Sequence, residues 1–223
     1  MPHPDNEVMT DTAMLRHVMA PFYRAGRPAV SLAAALALIA LTGCGRGPDW
    51  REMKPPDADG LQARFPCKPD SASRMVAIPG LAGERRVQML VCQHEGTSWS
   101  LAYTRLGDVR EVTPALEGLQ QSLRSNLQAA ATLVAPDVRP AESPPVGVDV
   151  PRMTPQPAAR ALAFRTERPD GLGRPMKMRV NAWHFAHGLT VFQAVVWQPA
   201  ERPALESGDD VADTFLQGFQ FPE

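Results

Sequence analysis

Between Leu61 and Phe221 the spacing of apolar residues switches between a period of two and one of three to four, and the switches mark out the elements. Leu61-Gln62-Ala63-Arg64-Phe65 alternates apolar with polar and halts at Pro66, which predicts a half-buried strand. Met75 to Ile78 predicts a short extended piece before the loop Pro79-Gly80-Leu81-Ala82-Gly83. Arg86 to Gln93 and Trp99 to Leu106 follow as two strands, and the Gly in His94-Glu95-Gly96-Thr97 marks a hairpin between them. Next comes the clearest helix. Thr113 suits its cap and Pro114 its first position, where a missing N–H has no intrahelical partner. Leu116, Leu119, Leu123, Leu127 and Ala130 then fall near one face, with Gln120, Gln121, Arg124 and Gln128 pointing elsewhere.

From Pro136 to Pro157 prolines at 136, 140, 144, 145, 151, 155 and 157 exclude a long regular element, although Val146 to Val150 is expected to form a short edge strand. Ala158 to Thr166 is the next strand, followed by a turn at Pro169-Asp170-Gly171 and a strand from Met176 to Phe185. Ala186-His187-Gly188 reverses the chain into Leu189 to Gln198, which is apolar on both faces, as a central strand covered on both sides would be. Ser207 and Asp210 have capping-box spacing. The helix expected over Asp209 to Gln217 presents Val211, Phe215 and Leu216 and ends at Gly218, before Phe219-Gln220-Phe221.

This order predicts an α+β fold or a three-layer α/β/α sandwich around a mainly antiparallel sheet. A strand ending at Phe65-Pro66, a two-strand meander, a long helix, a hairpin around His187-Gly188 and a closing helix before Gly218-Phe219-Gln220-Phe221 together resemble the Mog1/PsbP-like sandwich of small bacterial envelope proteins. The resemblance covers most of residues 61 to 223 as order and spacing. It implies an accessory or binding module and does not specify a role, because one fold hosts many functions.

Upstream, Ala29 to Leu41 is almost wholly apolar, follows Arg16, Arg24 and Arg27, and ends in Leu41-Thr42-Gly43-Cys44. A positive flank, a short apolar core and small residues make a secretory signal. The run falls short of the roughly 20 residues that a helix needs to cross a bilayer core. The tetrad Leu41-Thr42-Gly43-Cys44 resembles the lipobox of bacterial lipoproteins, which implies that Cys44 is lipidated and residues 1 to 43 are removed. Gly45, where an Asp would favour inner-membrane retention, points to the outer membrane, facing the periplasm. Asp5, Glu7 and Asp11 suit a leader poorly, so translation is expected to start at Met14 or Met19.

Composition narrows the class further. A formal net charge of -1 with 21% charged residues provides no basic field for nucleic acid. The 44% apolar content is that of a globular chain, and 23 prolines predict interrupted loops. Residues 44 to 60, rich in Gly, Pro and charge, read as a flexible tether below one domain spanning 61 to 223. Trp50 in that stretch suits either the lipid interface or packing onto the domain.

Few residues carry chemistry. In an oxidising compartment Cys67 and Cys92, the two thiols beyond Cys44, read as a disulfide, with two buried free thiols as the alternative. No C-x-x-C is present to indicate a redox enzyme. His184 and His187, with His94-Glu95, are weighed as metal ligands. Residues three apart on a strand point to opposite sides, so two surface histidines near a hairpin are the preferred reading, and no metal or cofactor is expected. Trp183 shares its expected face with Lys177, Arg179 and Asn181 and is a candidate anchor for an envelope protein partner, the alternative being a Trp covered by a loop. G-x-S-x-G, H-E-x-x-H, P-loop and G-x-G-x-x-G patterns are absent. Gly171-Leu172-Gly173 reads as a turn, and Asp108, Glu111, Asp209 and Asp210 sit where capping explains them. The expected function is a non-catalytic binding or accessory lipoprotein. The alternative is a small-molecule or metal-binding protein, and behind that a hydrolase, using a pocket between the sheet and the Pro-rich loop.

Overall fold

A computed structural model describes residues 49–201 and 211–223. Its centre is a seven-stranded sheet of order β3-β4-β5-β9-β8-β7-β6, antiparallel at every step. The strands are β3 (Asp70–Ala77), β4 (Glu84–His94), β5 (Thr97–Arg105), β6 (Ala141–Glu142), β7 (Arg160–Pro169), β8 (Pro175–His187) and β9 (Thr190–Pro199). A separate two-stranded ladder joins β1 (Arg51–Met53) to β2 (Ala63–Phe65). The helices are α1 (Val112–Thr132) and α2 (Val211–Gln217), with a single 3-10 turn over Val109–Glu111.

Local chemistry explains the joins. The β4–β5 connection is the pair Glu95-Gly96, with φ of 47° and 77°, and two consecutive positive φ values give a turn whose twist matches the strands it joins. Between β7 and β8 the Asp170 carboxylate accepts hydrogen bonds from the amides of Leu172 (2.8 Å) and Arg174 (2.9 Å), closing the expected turn. The strand expected to be central is central: β9 lies between β5 and β8 and is buried along most of its length.

Alternate residues of the sheet enter different clusters. On one side Leu123 and Leu127 of α1 pack with Leu162, Phe164, Val180, Ala182 and Val195, while Leu116 joins Ile78, Leu106, Ala186 and Val191. On the other, Leu101, Phe185, Phe192 and Val196 meet Leu61, Phe65, Phe215, Phe219 and Phe221. Rings dominate this second cluster: Phe185 and Phe192 stack at 5.1 Å, and Phe215 meets Phe65 and Phe219 edge-on at 5.1 and 4.8 Å. Each such pair adds about 1 kcal/mol to simple area burial.

Several expectations need correcting. The strand over Leu61-Phe65 shortens to β2 and pairs with β1, outside the main sheet, so residues from Asp49 on do not form the spacer that their composition suggests. Ala58 is buried, and half-buried Trp50 packs against the aromatic cluster. The extended piece at Met75 to Ile78 is the end of an eight-residue strand, β3. Helix α1 starts one residue earlier than Thr113 and has no side-chain cap. Asp108 instead caps the preceding 3-10 turn by accepting from the Arg110 amide, and Pro114 still falls among the first residues, whose amides have no intrahelical acceptor. The buried stripe of α1 continues to Ala131, not Ala130, because it advances in steps of four. Gln120, expected off the apolar stripe, is buried and donates to the Ala158 carbonyl at 2.8 Å. Val146 makes only an isolated bridge to Ala161, and the edge strand is β6. Ser207, Asp209 and Asp210 lie outside the described residues.

One glycine measures how tightly α1 docks. A Cβ at Gly118 would overlap the Pro79 carbonyl oxygen and stand 2.9 Å from Ile78 Cγ2. Gly to Ala inside a free helix stabilises by about 1 kcal/mol. Here the overlap reverses the sign, and Gly118→Ala is expected to lower unfolding stability by about 2 kcal/mol in urea titration.

Candidate functional site

Three features could engage a partner or ligand: a cationic end of the β7–β8 pair, a cleft under the Pro-rich segment, and a polar junction around the β8–β9 hairpin. The cationic end follows from strand alternation. Lys177, Arg179, Asn181 and Trp183 share one face of β8, and the register sets Glu167 opposite Lys177 and Arg165 opposite Arg179. Exposure falls along this face from exposed Lys177 through half-buried Arg179 and Asn181 to Trp183, which is only 5% exposed. Trp183 belongs to the aromatic cluster that includes Val150, with Val148 and Met153 packed against it. The loop-covered alternative therefore describes Trp183, and its ring is not a surface anchor. Arg139, Arg165, Glu167 and Lys177 line a cleft of about 220 Å³, together with Val138, Thr166, Met178 and Ala200. Three cations around one carboxylate suit an acidic group on a partner.

The second cleft, about 320 Å³, lies between the Pro-rich segment at Val148, Asp149, Arg152 and Gln156 and the start of β7 at Ala159 and Arg160. This is the place expected for a pocket between the sheet and its Pro-rich loop.

The third feature binds distant parts of the chain. Asp59, held at φ 47°, accepts a hydrogen bond from Thr190 Oγ1 at 2.7 Å and pairs with the Arg105 guanidinium. Tyr103 donates to the Pro56 carbonyl at 2.7 Å, and burial, then the nearby Asp57 charge, pushes its phenol up to about 12. The His187 ring stacks on Phe221 at 4.1 Å, with its Nδ1 2.9 Å from the Arg152 carbonyl, and Arg152 (φ 65°) donates to the Phe221 carbonyl at 2.6 Å. Backbone strain of this kind persists only where surrounding contacts hold it. Every partner here is a chain segment, so the junction works as a latch. No sequence signal could reveal it, since Asp59 and Thr190 are 131 positions apart.

The other candidate residues are placed as follows. Cys44 lies outside the described residues. Cys67 and Cys92 form a disulfide with Cα atoms 5.9 Å apart. Closing a loop of 25 residues contributes about 3 kcal/mol in the chain-entropy model. Asp108 caps its turn, and Glu111 accepts from Arg85 at 2.6 Å. His94 lies 3.8 Å from the Glu95 carboxylate, and among the described residues no group of three His, Cys, Asp or Glu could hold a metal ion. No protein-family model matches the chain, and a comparison with curated proteins gives no match.

His184 corrects the expectation of two surface histidines. It is fully buried on the α1 side of β8, between Arg160 of β7 and Gln193 of β9, where its ring finds at most a poorly aligned contact with the Arg160 backbone. Burial lowers its pKa to about 4. The Arg160 backbone pulls the other way, and the Arg124 charge on α1 adds to the lowering. The unfolded chain protonates near 6.5 while the fold resists until about 4, so unfolding takes up a proton between those values. Stability is expected to fall by about 3 kcal/mol as pH drops through that window. Thermal unfolding of His184→Leu from pH 7 to pH 4 should show a shallower decline than the wild type. Parallel curves would assign the acid sensitivity to other groups.

Proposed function

We propose that the chain is a lipid-anchored lipoprotein of the bacterial envelope, held through an acylated Cys44, whose domain is a non-catalytic binding or accessory module. The observation that carries this reading is the division of labour among three cysteines. Cys44 closes the apolar run in Leu41-Thr42-Gly43-Cys44, and the other two stand as a Cys67–Cys92 pair, as suits an oxidising compartment. Gly45 supports placement at the outer membrane, facing the periplasm. The helix α1 against one set of sheet residues and α2 with the tail against the alternate set support a three-layer α/β/α sandwich of Mog1/PsbP-like type. A protein partner would meet the domain at the cationic end of β7–β8, through Lys177 and Arg179 with Arg165. Labelled palmitate should appear on the wild-type protein in a bacterial host and be lost in Cys44→Ser. Absence of label from both would remove the anchor.

A second reading rests on the 320 Å³ cleft under the Pro-rich segment, which is large enough for a small molecule held against Arg152 and Arg160. It predicts a rise in unfolding temperature with at least one ligand in a thermal-shift screen that includes zinc and copper. A flat screen would leave it without support.

A further inference from the structure

We propose that two copies of the chain associate edge to edge through β3, extending the seven-stranded sheet across a two-fold axis. The two edges of the sheet are built differently. At β6 the ladder is two residues long and is flanked by Pro140, Pro144 and Pro145, which cannot donate to a further strand. At β3 the register with β4 runs unbroken from Asp70 to Ala77, without proline or bulge, and all eight residues are exposed. Met75 is 52% exposed and Val76 38%. An edge this long and bare is what a protein normally blunts with lysine, proline or a covering element.

The sequence of β3 says what would pair with it. Its only charges are Asp70 and Arg74, opposite in sign and four residues apart, hence on one face of the strand. A two-fold axis perpendicular to the sheet joins two antiparallel copies with identical faces on the same side, and one residue then meets itself. With the axis at Ala72, Asp70 stands opposite Arg74 of the second copy, Arg74 opposite its Asp70, and Ser71 opposite its Ser73. The strand is its own charge complement in this register. With the axis at Arg74 the two guanidinium groups would face each other, so charge selects among registers. Pro69 stops the ladder beyond Asp70 in the favoured register, leaving five pairs and a weak, reversible interface. The inference rests on β3 alone and is independent of the anchor.

The test is sedimentation equilibrium of the full chain in a density-matched non-ionic detergent over a range of protein concentrations. Wild type is expected to pass from monomer to dimer. Asp70→Arg and Arg74→Asp should each weaken dimerisation at least about tenfold, by replacing two attractive cross-strand pairs with two repulsive ones. The double variant D70R/R74D, which restores the complement in reverse, should recover wild-type association. Both positions of the cycle are solvent-exposed, so unchanged unfolding temperatures serve as the folding control. A monomer throughout would overturn the proposal, as would a dimer indifferent to both reversals or a double variant no better than the single ones.

Discussion

The pairing of β5 with β9 is the contact on which the rest depends. It joins a meander made early in the chain to strands made late, with Ser98 opposite Trp197 and Arg105 opposite Thr190. Without it β3–β4–β5 would be a three-stranded ribbon with two open edges, and β6 to β9 a second sheet lacking a neighbour. The pairing also accounts for the composition of β9. A strand with partners on both edges and cover on both faces has nowhere to show polar side chains, and β9 exposes none of its residues fully.

Given that junction, the two faces solve their burial differently. The α1 side uses one amphipathic helix, whose leucines reach β7, β8 and β9. The other side is filled by phenylalanines of β8 and β9 together with those of β2, α2 and the tail. Large flat rings suit this task because few of them fill the volume between irregular segments, and their edge-on contacts fix orientation. The disulfide adds a covalent tie near the same cluster, joining the segment after β2 to β4.

Much of this was legible in the chain. The periods of two over 86–93, 158–166 and 176–185 and the doubly apolar run of β9 lead to the right elements, and α1 is evident from its leucines, because burial on a strand or helix face leaves a local pattern. What was not legible lacked such a pattern. Asp70-Ser71-Ala72-Ser73-Arg74 has no apolar alternation because neither face of β3 is covered. Residues 49–60 carry the composition of a spacer, yet they are fastened by Tyr103, Arg105 and Thr190, each distant in sequence. His184 was misread, and Trp183 left open between anchor and covered ring, for the same reason: the outer end of β8 is polar, its inner end is covered on both faces, and the change occurs within one strand.

The bridge between Gln62 and Gln220, with backbone hydrogen bonds of 2.8 and 3.1 Å in the two directions, places the first part of the domain beside its last. During synthesis this has a plain meaning. Leu61 and Phe65 leave the ribosome long before Phe219 and Phe221, the rings against which their cluster closes, exist. The domain cannot be assembled from its first residue onward as a row of local hairpins would be. Its aromatic core must wait for nearly the whole chain, and until then those early side chains stay exposed to water or to whatever escorts the polypeptide.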